Sequence, residues 1–420
     1  QLRVWRQAVE RGEEGTEGAL NVSERDTAGR NGPVDASTIH PMGNQSDPTS
    51  APGHEIVMDF LTDGTVFRGV LAVLSIGAER LAAERSSPHG EALEATVRES
   101  LSLLSDVFGM DARVLEEAKR VASVQGGARA AQTLRASTID VALLKDTSQC
   151  GTVLGYARYR FDPQIPLLSI KILAKMAERK EKVLHFLPDE DVKNIIQGAA
   201  LCLESAANVM NGVGSDFGVD EVFNGSGLNQ ESGYNNVQDA VTAAGAAVLD
   251  IILDALPKHA PNVAHALLGF DHKKDPARVR LNPFGENFNC LSVLLELLEA
   301  TPASVVSSDM PAIPPPEAAA RVLFELVADA RTAPATLECV TDWPPGAPGG
   351  QQRLALLTAD ALAATPPSDP RRRAAAAHHR AWLIRIAAAA VDYASPDLQS
   401  SFPVDTVDDL PPLVAAITRA

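Results

Sequence analysis

The chain has 420 residues, of which 45% are hydrophobic but only 5% aromatic, and it carries a formal net charge of −17 with a sequence pI of about 5.0. Ala, Leu and Val carry the apolar load, which favours helices over sheets, because strands prefer aromatic and β-branched side chains. The acidity argues against direct nucleic-acid binding, which needs a basic footprint. Four cysteines, Cys150, Cys202, Cys290 and Cys339, stand far apart with no CxxC pair and no nearby His, so neither a zinc site nor a disulfide framework is expected, and the chain reads as intracellular. No apolar run reaches a membrane-spanning length. The first residue is Gln1 rather than Met, so the sequence reads as a piece of a longer protein.

In chain order, residues 1–53 are polar and rich in Gly, Ser, Asn, Asp and Pro, too poor in apolar surface to fold alone. From Glu55 to Arg85 the spacing of Val57, Phe60, Leu61, Val66, Phe67, Val70, Leu71, Leu74, Ile76 and Leu81 predicts two helices broken near Asp63-Gly64. A turn at Ser86–Gly90 precedes a helix from Glu91 to Val107, and another helix runs from Val114 to about Val124. Residues 128–162 are weakly patterned, with a short helix at Ile139–Leu144. Pro166 opens a clear helix whose inner face is Leu167, Leu168, Ile170, Ile172, Leu173 and Met176 and whose outer face carries Lys171 and Lys175.

Asp189-Glu190-Asp191 start the next helix, acids at the end where the helix dipole favours them, and Ile195, Ala199, Leu201, Cys202, Leu203, Ala206 and Val209 are expected to carry its core. A Gly- and Asn-rich loop follows at about 211–236. Val237 to Thr301 is the most strongly patterned stretch. Its first helix ends before Pro257. Pro261 is expected at the first position of a short second helix, which Gly269 stops in a left-handed conformation. In its third helix, from Phe288 to Ala300, Leu291, Val293, Leu294, Leu295, Leu297 and Leu298 cannot share one narrow face, so burial on several sides is expected. After the stiff MPAIPPPE linker, helices are predicted from Pro316-Glu317, over Arg353–Ala363, over Arg371–Tyr393 and over Leu413–Ile417.

Nothing in this pattern is catalytic. Gly212 to Gly218 approaches a dinucleotide fingerprint, but the spacing is wrong and no strand precedes it. There is no phosphate-binding GxxxxGK[ST] and no GxSxG nucleophile motif. His378-His379 are adjacent on a helix and point about 100° apart, so they do not chelate together. No cofactor or metal site is expected.

Two stretches resemble a known family. ARYRFDPQIPLLSIKILAKMA, with an Ala157-Arg158-Tyr159 turn before a Leu/Ile-rich helix, is one. The other is LDIILDALPKHAP followed by NVAHALLGFDHKK and then NCLSVLLELLE: a helix ending in Leu267-Leu268-Gly269-Phe270, a basic link His272-Lys273-Lys274, and a buried helix from Cys290 to Leu298. In this order they resemble the largest, karyopherin-like α-solenoid scaffold nucleoporins of the nuclear pore's inner ring. The resemblance covers about 157–340, is weaker over 55–125 and only compositional beyond 341. The Pro-, Ala- and Gly-rich insertions depart from the family pattern.

The resemblance implies an all-α fold, an α-solenoid of stacked antiparallel helix pairs of HEAT/ARM type, and a structural role in nucleocytoplasmic transport at the nuclear envelope. The expected organisation is a polar segment 1–53, a solenoid segment 54–342 and its continuation over 343–420. The implied partners are other nucleoporins: flexible linker nucleoporins docking amphipathic helices, and neighbouring scaffold subunits. Candidate contact residues are Lys171, Lys175, His272, Lys273 and Lys274, facing acidic partner segments, although ordinary solvated lysines fit the same pattern. A soluble importin/exportin-type receptor shares the architecture and the acidity, and composition does not separate the two.

Overall fold

A computed structural model describes residues 52–125, 131, 133–210, 230–279, 281, 288–299, 315–341, 357–358, 361–363, 368 and 370–393. Among these the regular structure is all helical, with no strand. The expectations for residues 1–51, for most of Arg353–Ala363 and for Leu413–Ile417 lie outside the described residues. The chain divides into two compact units whose segments alternate, Gln1–Val73 with Ser102–Lys145 and Leu74–Leu101 with Asp146–Ala420.

The first unit is built from α1 (Pro52–Leu61), most of α2 (Thr65–Leu74), the C-terminal third of α4 (Gly90–Phe108), α5 (Asp111–Gln125) and α6 (Ile139–Leu143). Helix α3 (Ala78–Glu84) belongs to the second unit. The expected break at Asp63-Gly64 is present: Asp63 takes a left-handed φ of 56°, and the Phe67 amide is capped by Asp59 Oδ2 at 3.1 Å. Phe60 and Phe67 then meet across the break, centroids 5.2 Å apart. A second break at Gly77 divides the predicted second helix in two. Helix α5 starts three residues earlier than its apolar pattern suggests, because buried Asp111 serves two ends at once. Its carboxylate accepts from Ala112 N at 2.7 Å and, across the unit, from Ile139 N at 2.9 Å.

The second unit continues with α7 (Thr147–Gly155), α8 (Gln164–Arg179), α9 (Asp189–Met210), α10 (Gln230–Ala255), α11 (Val263–Leu267), α12 (Cys290–Glu299), α13 (Pro315–Ala328), α14 (Ala333–Thr341) and α15 (Pro370–Tyr393). Single 3₁₀ turns occupy Tyr156–Arg158, Val183–Phe186 and Pro276–Arg278. Helices α7 and α14 were not legible in the sequence, and α10 begins at Gln230, inside the stretch read as loop. Packing runs from neighbour to neighbour: α7 on α8 and α9, α8 on α9 and α10, α9 on α10 and α12, then α12 on α13 and α13 on α14 and α15. This is an α-solenoid, in which each helix buries its stripe on adjacent helices and no single centre serves all of them.

Named side chains fix the stacking. Tyr156 is fully buried, its hydroxyl donating to Leu74 O and accepting from Gly77 N, each at 3.1 Å; burial pushes its pKa up to about 12. Ser169 on α8 donates to Leu154 O at the end of α7, 2.8 Å away. Gly245 lets α10 approach α9 closely, since a Cβ there would stand 2.3 Å from Ala206 Cβ. All four cysteines are buried and unbridged, and burial lifts the Cys150 and Cys202 thiols to about 12, where they are unreactive.

The central stretch behaves as its apolar content demands. In α12 every residue from Cys290 to Leu298 except Glu296 is buried. Asn289 caps this helix, its Oδ1 accepting from Leu291 N at 3.0 Å. The start of α11 differs from expectation: Pro261 lies before the cap, and Asn262 is the N-cap, accepting from Ala264 N at 3.0 Å while its Nδ2 donates to Ala255 O at 2.7 Å. A proline lacks a side-chain acceptor, whereas the Asn amide satisfies an orphan amide of α11 and adds a second donor to Ala255 O at the end of α10, which Lys258 N already reaches at 3.0 Å. Gly269 ends α11 at φ 91°, as its position after Leu268 predicts.

Candidate functional site

Within the second unit the link after α11 is held against the start of α9. Glu181 O accepts from Val263 N at 3.1 Å, and Gly269 backs onto the Asn289 side chain, so closely that an added Cβ would sit 2.6 Å from Nδ2. The first bond fixes the start of α11 beside the segment after α8, the second contact joins the beginning of the link to its end, and the polar residues of the link form one wall of a groove along α9. The other wall is the Tyr156–Arg158 turn and Arg160. Two adjoining openings, of about 630 Å³ and 550 Å³, share Gln197 and Phe288 and make this groove continuous.

The floor follows from helical periodicity. Val192, Ile195, Ala199, Cys202, Leu203 and Ala206 of α9 turn into the core. That leaves Asp189, Lys193, Ile196, Gln197, Leu201 and Glu204 along the groove, at the 3.6-residue spacing of a single face. From Asp189 to Glu204 this face is about 22 Å long at ~1.5 Å per residue. Ile196, Leu201 and Phe288 are only half-buried and give it an apolar strip.

The basic link is less free than its sequence suggests. Lys273 Nζ is hydrogen-bonded to Asp189, Lys274 Nζ lies 2.8 Å from Asp271, and His272 Nε2 is 3.6 Å from Asp189. The hydrogen bond from Lys273 and its charge hold the Asp189 carboxyl below the usual range. His272 meets His185 edge-to-face, centroids 5.8 Å apart. Burial, reinforced for His185 by His272 and for His272 by Lys273, depresses both imidazoles and favours their neutral forms.

Four more bases border the groove. Arg158 bonds Asn194 at 2.5 Å and lies 3.3 Å from Glu79, and Lys193 is 3.6 Å from Glu190. Arg160 and Arg278 are exposed and make no ion pair with any described residue. Six Lys and Arg line the groove against the carboxylates Asp189, Asp271 and Glu204, and Glu79 and Glu190 behind it pair with Arg158 and Lys193.

Of the sequence candidates, the structure brings His272, Lys273 and Lys274 to this groove and leaves Lys171 and Lys175 on the exposed face of α8, apart from it. Lys175 pairs with Glu178 at 3.4 Å. Sequence reasoning missed Arg160, Lys193, Arg278 and Phe288, and it placed Leu201 in the core of α9, where the structure leaves it half-buried on the groove face. Only the outer stripe of α9 carried a signal, the polar complement of the apolar positions that were read. No group of His, Cys, Asp or Glu among the described residues is arranged to hold a metal ion, and none of their helices is long and apolar enough to cross a membrane.

A family model described as nuclear pore complex scaffold, nucleoporins 186/192/205, matches residues 23–343, more than half of the chain. The chain belongs to this family. A curated relative, nuclear pore complex protein NUP205 of Arabidopsis thaliana, is 26% identical over 277 residues, 64% of this chain. The chain spans only 13% of that relative's length. The match includes α1 to α14 and the groove along α9; α15 lies beyond it. The matched family is described as a scaffold, one of the two readings that composition alone left open.

Proposed function

We propose that this segment serves as a structural, non-enzymatic part of the nuclear pore's inner-ring scaffold, anchoring other nucleoporins and supporting nucleocytoplasmic transport. The single observation that carries the reading is the family match over residues 23–343. The neighbour-to-neighbour packing of α7 to α15 supports it, because a stack of this kind propagates a continuous core and exposes grooves between its helices. Flexible linker nucleoporins would dock amphipathic helices in such grooves, and neighbouring inner-ring subunits would pack on the exposed helix faces. His272 to Lys274 at the α9 groove and Lys171/Lys175 on α8 are the contact candidates, each facing acidic partner segments.

The test is fluorescent tagging of the full-length protein with bleaching recovery at the nuclear rim. A rim signal that exchanges slowly is expected of a scaffold. Exchange within seconds, or cargo release on addition of a nuclear GTPase, overturns the reading.

A further inference from the structure

Helices α10, α13 and α15 form one layer of the second unit. Helix α10 touches α13, α13 packs on α15, and α9, α12 and α14 lie behind them. Two contacts align α13 with α15. His378 Nδ1 is 3.0 Å from Glu317 Oε1, and seven residues further along both helices Arg385 lies over the Phe324 ring. The two helices therefore run parallel, with their outer stripes level. On that seam the half-buried rings of Phe324 and Trp382 meet at 5.1 Å, and the exposed Arg385 makes no ion pair with any described residue. Half-buried aromatic rings beside an Arg that lacks a carboxylate have the composition of an interface hot spot.

Helix α10 carries the complement. Its exposed Asp239 and Asp250 bracket Ala243 and Ala246 at i, i+4, i+7 and i+11, and none of Asp239, Asp250 and Asp254 pairs with a described cation. Burial, and then the Asp254 charge, raise the Asp250 carboxyl above its ordinary range. Helix α15 repeats the spacing with Ala374, His378, Ala381 and Arg385. Alanines between the charges let two such helices approach closely. Within one chain α13 stands between the two stripes, so they do not meet. We propose that this layer is the contact surface of a two-fold dimer of the chain, with α10 of each copy against α15 of the other and α13 against its own counterpart at the axis. On α13 the half-buried Arg321 and Glu325, four residues apart, then each face the other's counterpart across the axis.

Charge selects the second copy as the occupant. A purely acidic partner would meet the aspartates of α10, and a purely basic one would meet Arg385. A second copy turned by the two-fold supplies both signs at the spacing each stripe requires. Three helix faces, each about 20 Å long at ~1.5 Å per residue and set ~10 Å apart, offer on the order of 600 Å² of footprint, close to the ~800 Å² per partner of a standard interface. The rings supply the affinity, and the charges set the register, since exposed ion pairs are individually weak. The inference does not rest on the scaffold reading, because α15 lies outside the family match.

The test is sedimentation velocity of the 420-residue chain from about 1 to 200 µM, at about 0.15 M salt so that the net charges of two acidic copies are screened. The mean mass is expected to rise from one chain toward two. Arg385→Glu and Asp250→Arg, both at exposed positions, should each weaken the dimer about tenfold or more, because the two-fold places every like-charge contact twice. The thermal melt of each variant, taken on dilute protein where the copies are apart, should be unchanged. Mixed in equal amounts, the two variants should pair about as tightly as the unaltered chain, since both sites of the mixed dimer again join opposite charges. A chain that stays single at about 200 µM overturns the inference and leaves this layer to a different partner. So does a mass that grows past two copies, a dimer indifferent to both reversals, or a mixture that pairs no better than its components.

Discussion

Helices α12 and α15 lie in the same unit and answer to opposite demands. In α12, ten residues long, every side chain from Cys290 to Leu298 but Glu296 is buried, because α9 covers it on one side and α13 on another. In α15, twenty-four residues long, Ala376, His379, Leu383, Ile386 and Ala387 are buried, against α13, while Arg373, Ala377, His378, Ala381 and Arg385 are exposed. Arg385 lies over the Trp382 and Phe324 rings, 4.9 and 5.6 Å from their centroids, and covers apolar surface with its stem while its charge stays in water. An interior helix is thus specified by its apolar excess, and a one-sided helix by periodicity. A solenoid needs both, since each buried helix is stable only through the helices flanking it.

Mutations at graded depth break or sharpen this contrast. The largest effect is expected from Leu294→Ala in the fully buried middle of α12, a loss of about 2–5 kcal/mol measured by chemical denaturation. A loss under about 1 kcal/mol would mean that α12 is not enclosed as described.

Next comes acid. His265 on α11 is buried, its Nδ1 2.8 Å from Asn262 Oδ1, and burial depresses its pKa to about 4 against an ordinary value of 6.5. A depressed imidazole must stay neutral in the fold, so its contribution is intact above pH 6.5 and is lost as pH falls from 6.5 toward 4. The ceiling is about 3 kcal/mol at ~1.4 kcal/mol per unit. His265→Gln should flatten the stability profile across that window, and an unchanged profile would assign the acid sensitivity elsewhere.

Asn262→Ala removes the cap of α11 and one of the two donors to Ala255 O, the Lys258 amide remaining, for about 1 kcal/mol by thermal melting. Restoring Ser there should recover part of it, since a hydroxyl can still accept from the first turn. The smallest effect is expected of Ala381→Lys on the exposed face of α15, within about 0.5 kcal/mol. A loss comparable with that of Leu294→Ala would show that face to be covered.

Much of the fold was legible because helical burial is periodic. The starts at Asp189, Pro315 and Pro370, the stop at Gly269 and the all-round burial of α12 agree with the pattern of apolar residues, prolines and acids. Helices α7 and α14 were not legible. Thr147–Gly155 is short and rich in small residues, and it is held as a helix by the Asp146 cap and by α8 and α9 packed on it. The caps at Asp111 and Asn262 were missed for a related reason. Each serves two chain ends at once, and the second end is distant in sequence or hidden behind a proline.

The candidate site divides along the same line. The basic link His272 to Lys274 stood out as consecutive letters, but its pairing with Asp189 and Asp271 depends on where α9 begins in space. By itself the sequence determined the helical class, most helix boundaries and the need for neighbours, because these follow from local propensity and from apolar excess in a window of one helix. The tertiary structure alone decided the groove. It set the outer stripe of α9 between Arg158/Arg160 and Lys274/Arg278, residues separated by more than a hundred positions, and charge complementarity acts through space rather than along the chain.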